Sequence, residues 1–333
     1  MYDLEGIAEL EQLRATAPDA FEALLGALAY ASDSTVDAQL LEPARRRLAV
    51  QFRTYDGPAV DEDAQAPLEQ AAADIVDQFV VYVAGVSDDL REPLEDAFTI
   101  EQLNEFAKVL YTLDVGYRLR FVHRALFAPT DAPLAPLPAL TPGDGRVDAP
   151  LKALWREATR MGDEEVDDPD LLEHLRLRCA WYHQCHTCLG GRFAVDGEVL
   201  VDEPTFEKIK DYESSDISDR HKTMLRLVDA YLINPQDGLD EELRTKLLEY
   251  FTPAQLVALT LKVVGFTSQK MPVMLGTDLP VNELAPNKLG RYTPDGLPIS
   301  DYYKYIDLLD DDLVRLPTTK RAELRQLKQQ VEA

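Results

Sequence analysis

The chain has 333 residues, 46% of them hydrophobic, and its 34 basic and 60 acidic side chains give a net charge of −26. This length and hydrophobic content suffice to bury a sizeable core, so a disordered chain is not expected. The negative charge opposes general binding to nucleic acid, and the short arginine run at 45–47 is interpreted as a solvated helix face.

The N-terminal sequence and the cysteine content predict the cellular compartment of the protein. The first residues lack a basic segment followed by an apolar one, and no apolar run approaches membrane-spanning length. Three cysteines, two of them three residues apart, do not suggest a secreted disulfide scaffold. We therefore expect a cytoplasmic protein with neither membrane nor nucleic acid as a partner.

Helical periodicity dominates the first half and recurs in the second. Residues 100–113 place their apolar side chains on one stripe, and Thr99 with Gln102 forms a capping-box pattern before it. Thr252 and Gln255 repeat that start. Because alternating strand patterns are scarce, the sequence predicts an all-α fold.

A proline-rich stretch, 128–150, divides the chain nearly in half and is predicted to be an extended connector. The halves look related, because residues 37–49 match residues 168–180 at seven of thirteen positions, and 96–103 resemble 249–256 in the same order. We therefore predict two tandem related helical halves. The predicted segments are a first half without cysteines (1–127), the linker (128–150), a second half with a redox site (151–280) and a C-terminal extension ending in a helix (281–333).

The two halves differ in chemistry. Aligning Glu42 with Glu173 places Thr54 opposite Cys185, so the paired thiols belong to the second half alone. From the matched glutamate to the matched threonine, the second half is also longer, 79 residues against 57. The additional residues are expected after the cysteines, around 196–204 and 211–219.

Cys185 and Cys188 form a C-x-x-C motif. On a helix these residues share a face and are close enough for a disulfide, and a helix N-terminus would lower a thiol pKa. The alternatives are two ordinary buried cysteines or a structural metal site. Zinc would need Cys179 and either His183 or His186 as further ligands, and ligands packed into one turn rarely close a tetrahedron, so we expect no metal.

These residues resemble the carboxymuconolactone decarboxylase family, and within it the AhpD-like alkyl hydroperoxidases. The family pattern is a glutamate, a C-x-x-C motif twelve residues later and a histidine four residues beyond the second cysteine; here Glu173 precedes Cys185 by twelve residues. The later helix is similar too, as FTPAQLVALTLKVVGF. The resemblance covers residues 168–275 well and the first half only as a degenerate copy.

The resemblance implies an AhpD-like helical fold, a homo-oligomer and a thiol-dependent peroxidase without a cofactor. Cys188 would attack the hydroperoxide, Cys185 would resolve the sulfenic acid as a disulfide, and Glu173 would belong to the proton relay. A dithiol or lipoyl-type protein would then reduce the disulfide.

The chain departs from the family at two positions. Arg192 replaces the histidine, and Thr187 precedes the second cysteine where the peroxidases often have histidine, with His186 one residue earlier. Because arginine cannot accept a proton, Arg192 is expected to stabilise a thiolate and to pair with Glu173. The alternative is a helix-end cation that holds Glu173 structurally.

Other residues near the motif are interpreted more simply. His183 and His186 are candidates for a base or thiolate partner, although a histidine without a role is an equal alternative. Cys179 is interpreted as a buried inert thiol, and His174 and His221 as structural or solvated residues.

Geometry gives a separate expectation about Glu173 and Cys185. Twelve residues of unbroken helix would separate them by about 18 Å. If both serve one site, the chain must break between them, and we predict the break near His183 and Gln184, with a new helix at the cysteines.

Two other functions stay open. One is the non-redox branch of the family, which decarboxylates a γ-carboxymuconolactone but leaves the paired cysteines unexplained. The other is an AhpD-like assembly or binding protein with weakened catalysis, which the replacement of the relay histidine by Arg192 favours.

Overall fold

The structure, a computed structural model, describes residues 5–32, 36–55, 67–137, 148–195 and 198–278. These residues form an all-α fold, as predicted. The helices of the first half are α1 (Glu11–Thr16), α2 (Pro18–Ser32), α3 (Ala38–Gln51), α4 (Pro67–Val81), α5 (Asp88–Ala97) and α6 (Ile100–Phe127). Those of the second half are α7 (Asp148–Met161), α8 (Pro169–His183), α9 (His186–Leu189), α10 (Glu203–Lys210), α11 (Asp219–Ile233), α12 (Glu241–Tyr250), α13 (Pro253–Thr267) and α14 (Lys270–Met274).

Five helices follow the same order in both halves. Helices α2 to α6 have 15, 14, 15, 10 and 28 residues, and α7, α8, α11, α12 and α13 have 14, 15, 15, 10 and 15. Their packing repeats as well: α3 contacts α4 as α8 contacts α11, and α2 contacts α6 as α7 contacts α13. The duplication itself stays a prediction from the sequence.

Backbone conformation repeats at the end of the second matched helix, α3 in the first half and α8 in the second. Arg53 after α3 and Gln184 after α8 have φ of 54° and 51°, in the left-handed region that ends many helices. In both places the next residue bonds back five positions, Thr54 N–H to the Ala49 carbonyl and Cys185 N–H to the Ala180 carbonyl. These positions are the ones that the alignment of Glu42 with Glu173 pairs.

Capping boxes begin the last matched helices. The Thr99 hydroxyl accepts from the Gln102 N–H and the Gln102 side chain accepts from the Thr99 N–H, and Thr252 with Gln255 does the same. Both predicted capping boxes are therefore confirmed. Each satisfies two backbone donors that a helix start leaves unpaired.

The halves share one hydrophobic core rather than forming separate ones. Helix α2 lies on its counterpart α7, so closely that a Cβ on Gly26 would stand 3.2 Å from the Pro150 side chain. Across the halves, the Tyr111 hydroxyl donates to the Val264 carbonyl at 2.6 Å and accepts from the Trp155 indole at 3.1 Å. Burial raises the pKa of Tyr111 above its ordinary range.

The predictions about the segments outside the matched helices have different outcomes. The extra residues of the second half lie after the cysteines, as predicted: two two-residue strands (Ala194–Val195 and Glu198–Val199), α10 and a 3-10 turn (Tyr212–Ser214). The predicted linker is wrong at its end, because α7 begins at Asp148 and Pro150 is tolerated in a first helical turn. The predicted C-terminal extension and its helix lie outside the described residues.

No single helix among the described ranges combines the length and the apolar composition needed to cross a membrane. Glu241–Tyr250 and Pro253–Met274 meet those criteria only as a pair, and they are bent by 110° relative to each other.

Candidate redox site

The chain breaks where the sequence predicts it. Helix α8 ends at His183, Gln184 adopts φ 51°, and Cys185 becomes the N-cap of the four-residue helix α9. The Cys185 sulfur accepts a hydrogen bond from the Cys188 N–H at 3.4 Å. The left-handed residue turns the chain back, so the thiols do not continue along the axis of α8.

Both cysteines of the motif are free thiols, and their sulfur atoms lie 2.7 Å apart, with the Cys185 S–H donating to Cys188 Sγ. Cys185 is fully buried and Cys188 is partly exposed. Among the described residues, the one further side-chain partner of these sulfurs is Gln269, whose Oε1 lies 3.9 Å from Cys185 Sγ. The pair is therefore close enough to form a disulfide with small rotations.

Cys185 and Cys188 differ in how deeply they are buried, and burial changes the pKa of Cys185. Desolvation raises the pKa of Cys185 well above its ordinary value, and the hydrogen bond to Cys188 acts in the same direction. The expectation that a helix start lowers the pKa is therefore wrong for Cys185, because burial outweighs the effect of one short turn. Cys185 therefore stays a neutral thiol that donates to Cys188 Sγ.

Glu173 pairs with Arg176, not with Arg192 as predicted. Two parallel bonds of 2.6 and 2.7 Å join the Arg176 guanidinium to the Glu173 carboxylate, and both side chains are almost completely buried. Arg176 also donates to the carbonyls of Cys188 and Gly191, each at 2.9 Å. Glu173 in turn accepts from the Phe193 N–H at 3.0 Å. This ion pair links α8 to the segment that carries Cys188.

Arg192 lies beyond the end of α9, so it does not continue the helical face of Cys188 as the spacing suggested. Its guanidinium bonds Glu203 at 2.5 Å and the carbonyls of Leu189 and Gly191, and it stacks 4.5 Å from the Phe206 ring centroid. Desolvation lowers its pKa, while Glu203 opposes that change. Arg192 thus joins the end of α9 to α10.

His186 contacts a carboxylate that the sequence did not single out. Asp278, after α14, is buried and accepts from both the His186 N–H and Nδ1, each at 3.0 Å. The same carboxylate therefore fixes the start of α9 and the imidazole beside it. No local pattern signals this contact, since the two residues are 92 positions apart.

A buried charged cluster lies between the halves. Asp114 of α6 is bonded by Arg118 and by Lys270, both at 2.8 Å, and all three side chains are nearly inaccessible. Burial lowers the pKa of Lys270 to about 7, while Asp114 opposes that change. Burial, then the charges of Lys270 and Arg118, also lower the pKa of His183 far below its ordinary value. His183 is thus neutral and bonds neither sulfur.

The third cysteine, Cys179, lies apart from the side chains that are spaced to hold a metal ion. Cys179 is buried, and desolvation raises its pKa above the usual range, so the prediction of a buried thiol is confirmed. Within the described parts of the chain, the single group of side chains spaced to hold a metal ion contains no cysteine.

No family model, no curated protein and no solved structure matches this chain. The resemblance to AhpD-like proteins thus depends on the motif and its spacing, and it stays a prediction.

Proposed function

We propose that the protein is a dithiol hydroperoxide reductase in which Cys188 reacts with the peroxide and Cys185 resolves the product. The observation that carries this proposal is the asymmetry of the pair: two free sulfurs 2.7 Å apart, one partly exposed and one buried that donates to it. A reacting thiol needs access to substrate, whereas a resolving thiol needs only access to the first sulfur.

The reaction balances with one reductant per turnover. The Cys188 thiolate attacks the terminal oxygen of ROOH, so that an S–O bond forms as the O–O bond breaks, and the leaving RO⁻ takes a proton to become ROH. The Cys185 thiol then attacks the sulfenic sulfur, forming the disulfide and releasing water. A dithiol or lipoyl-type protein reduces that disulfide by exchange and becomes oxidised itself.

Glu173, predicted as a relay residue, and Arg192, predicted to stabilise a thiolate, receive positioning roles in this proposal. Glu173 is saturated by Arg176 and the Phe193 N–H, and Arg192 is held by Glu203 and backbone carbonyls. Their contacts fit the support of the segment from Cys188 to Phe193 better than proton transfer. The same conclusion applies to His186, whose Nδ1 faces Asp278.

The test is consumption of cumene hydroperoxide by the reduced protein with dihydrolipoamide as reductant. Cys188→Ser should abolish turnover, and Cys185→Ser should allow one oxidation per chain and accumulate a sulfenic acid that dimedone traps. Cys179→Ala is the matched control, because that buried thiol has no part in the proposed reaction, and it should keep turnover. Turnover that survives in Cys188→Ser would overturn the proposal.

An assembly or binding protein is the second candidate, and one observation favours it. Among the described residues, neither sulfur is hydrogen-bonded to a histidine or a carboxylate, so the relay that the resemblance implies is missing. Alkylation by iodoacetamide near neutral pH separates the candidates. A Cys188 that alkylates no faster than free cysteine, together with no peroxide turnover, would favour the binding protein.

A further inference from the structure

A second cluster of ligating side chains joins two helices of the second half. Asp170 and His174 lie one turn apart on α8, and His221 lies in the first turn of α11. One ligand atom from each of the three is within 4.8 Å of the others. Asp170 Oδ2 already contacts His221 Nε2 at 3.0 Å. None of these residues belongs to the proposed thiol reaction.

Each imidazole has its other nitrogen held by an oxygen. His174 Nδ1 lies 2.8 Å from the Asp170 carbonyl and 3.6 Å from Asp170 Oδ1, so that nitrogen carries the proton of the neutral ring and Nε2 carries the lone pair. His221 Nδ1 lies 2.7 Å from the Ser218 hydroxyl, which leaves its Nε2 for Asp170 or an ion. An outer oxygen that fixes the tautomer and ring orientation is the usual support of a metal-binding histidine.

The charges suit a cation better than a second proton. The two imidazole rings are 4.7 Å apart and His174 is buried, so protonating both would place like charges together. Nearby, Arg220 is paired with Asp168. Two imidazoles and one carboxylate thus lie together at this point.

We propose that Asp170, His174 and His221 bind one divalent transition-metal ion of the zinc class. Two imidazole nitrogens and one carboxylate oxygen form a ligand set that such ions accept, with water completing the tetrahedron. Asp170 is about half exposed, at 47% of its side chain, so solvent reaches the open position. Because the ligands come from α8 and α11, the ion cross-links the helix that carries Glu173 and Arg176.

This site replaces the sequence interpretation of His174 and His221 as structural or solvated residues. The competing explanation is an ordinary ion pair, in which Asp170 and His221 link the helices without a metal. A pair needs two groups, however, whereas His174 brings a third with its free nitrogen available. The two explanations differ in whether removing one histidine abolishes binding of an added metal.

The experiment is a titration of the full chain with Co²⁺, in a Cys185→Ser/Cys188→Ser background that removes thiol ligands. We expect one Co²⁺ per chain, visible d–d absorption without thiolate charge transfer, and displacement by Zn²⁺. His221→Gln and Asp170→Asn, both partly exposed, should each weaken binding by more than about 10-fold, the lower range for loss of an outer-shell partner. Thermal unfolding should shift upward with Zn²⁺ in the parent and not in these variants.

His186→Ala in the same background is the matched control, because it removes an imidazole that lies outside the proposed ligand set and contacts Asp278. It should leave the stoichiometry and affinity unchanged. No bound Co²⁺ in the parent, or equal binding by the His221→Gln variant, would overturn the proposed metal site in favour of the ion pair. Either result leaves the peroxidase proposal untouched, since the thiols are absent from this test.

Discussion

Replacing Glu173 by Gln tests whether this carboxylate positions the site or transfers protons. The variant keeps the shape of the side chain and an acceptor for the Phe193 N–H, but it removes the charge that compensates buried Arg176. Breaking a buried pair by neutralising one partner typically costs about 3–5 kcal/mol, because the other charge stays buried and uncompensated. We therefore expect a loss of stability of that size.

The loss converts to a change in melting temperature. At about 2.1 cal/mol/K per residue, 333 residues give an unfolding entropy of roughly 0.7 kcal/mol/K, so the expected fall in Tm is about 4–7 °C. Glu213→Gln is the matched control: Glu213 makes the same two-bond contact to Arg226, at 2.6 Å for each bond, but on the surface. Exposed pairs are worth about 0–1 kcal/mol, so that variant should lose no more than about 1.5 °C.

The assay combines calorimetry with peroxide turnover at 25 °C, where both variants are folded. A positioning role predicts the fall in Tm for Glu173→Gln with a loss of turnover below about tenfold. Loss of a general base typically costs about 10²–10⁴-fold. An unchanged Tm with a turnover loss in that range would refute the reasoning and restore the proton relay.

Three other variants test neighbouring features. Lys270→Met removes the buried ammonium beside Asp114. Because burial lowers the pKa of Lys270 to about 7, the folded protein binds fewer protons than the unfolded chain between about pH 7 and 10. The free energy of unfolding of the wild type relative to the variant should therefore rise by about 2.5 kcal/mol from pH 7.5 to 9.5 in urea unfolding, and a constant difference would contradict a lowered pKa. Asp278→Ala should lower the free energy of unfolding by about 1–3 kcal/mol and speed alkylation of the C-x-x-C cysteines, because the His186 N–H and ring lose their buried acceptor. An unchanged alkylation rate would show that α9 keeps its position without the Asp278 carboxylate. Gln184→Gly should raise the free energy of unfolding by up to about 1 kcal/mol, measured from the urea midpoint, because a φ of 51° suits glycine. A destabilised variant would mean that the contacts of the Gln184 side chain stabilise the fold by more than its backbone strain destabilises it.

The local features of the fold are readable in the sequence. The capping boxes at Thr99 and Thr252 and the stripe that follows involve residues three or four apart, and such contacts form in any helix with that spacing. The break before Cys185 also follows from local length, because twelve helical residues are too long for one site. The pairing of Glu173 with Arg176, at i,i+3, is equally local, although the family pattern points to Arg192 instead.

Tertiary packing alone decides which distant groups meet and how much water reaches them. Asp278 meets His186 across 92 residues, and Asp170 meets His221 across 51, contacts that no periodicity encodes. Burial also reverses the expected effect of a helix start on the pKa of Cys185. The physical reason is the distance along the chain over which each interaction acts. Helix propensity and capping act within a few residues, whereas desolvation and ion pairing depend on which helices cover a side chain after the halves have packed.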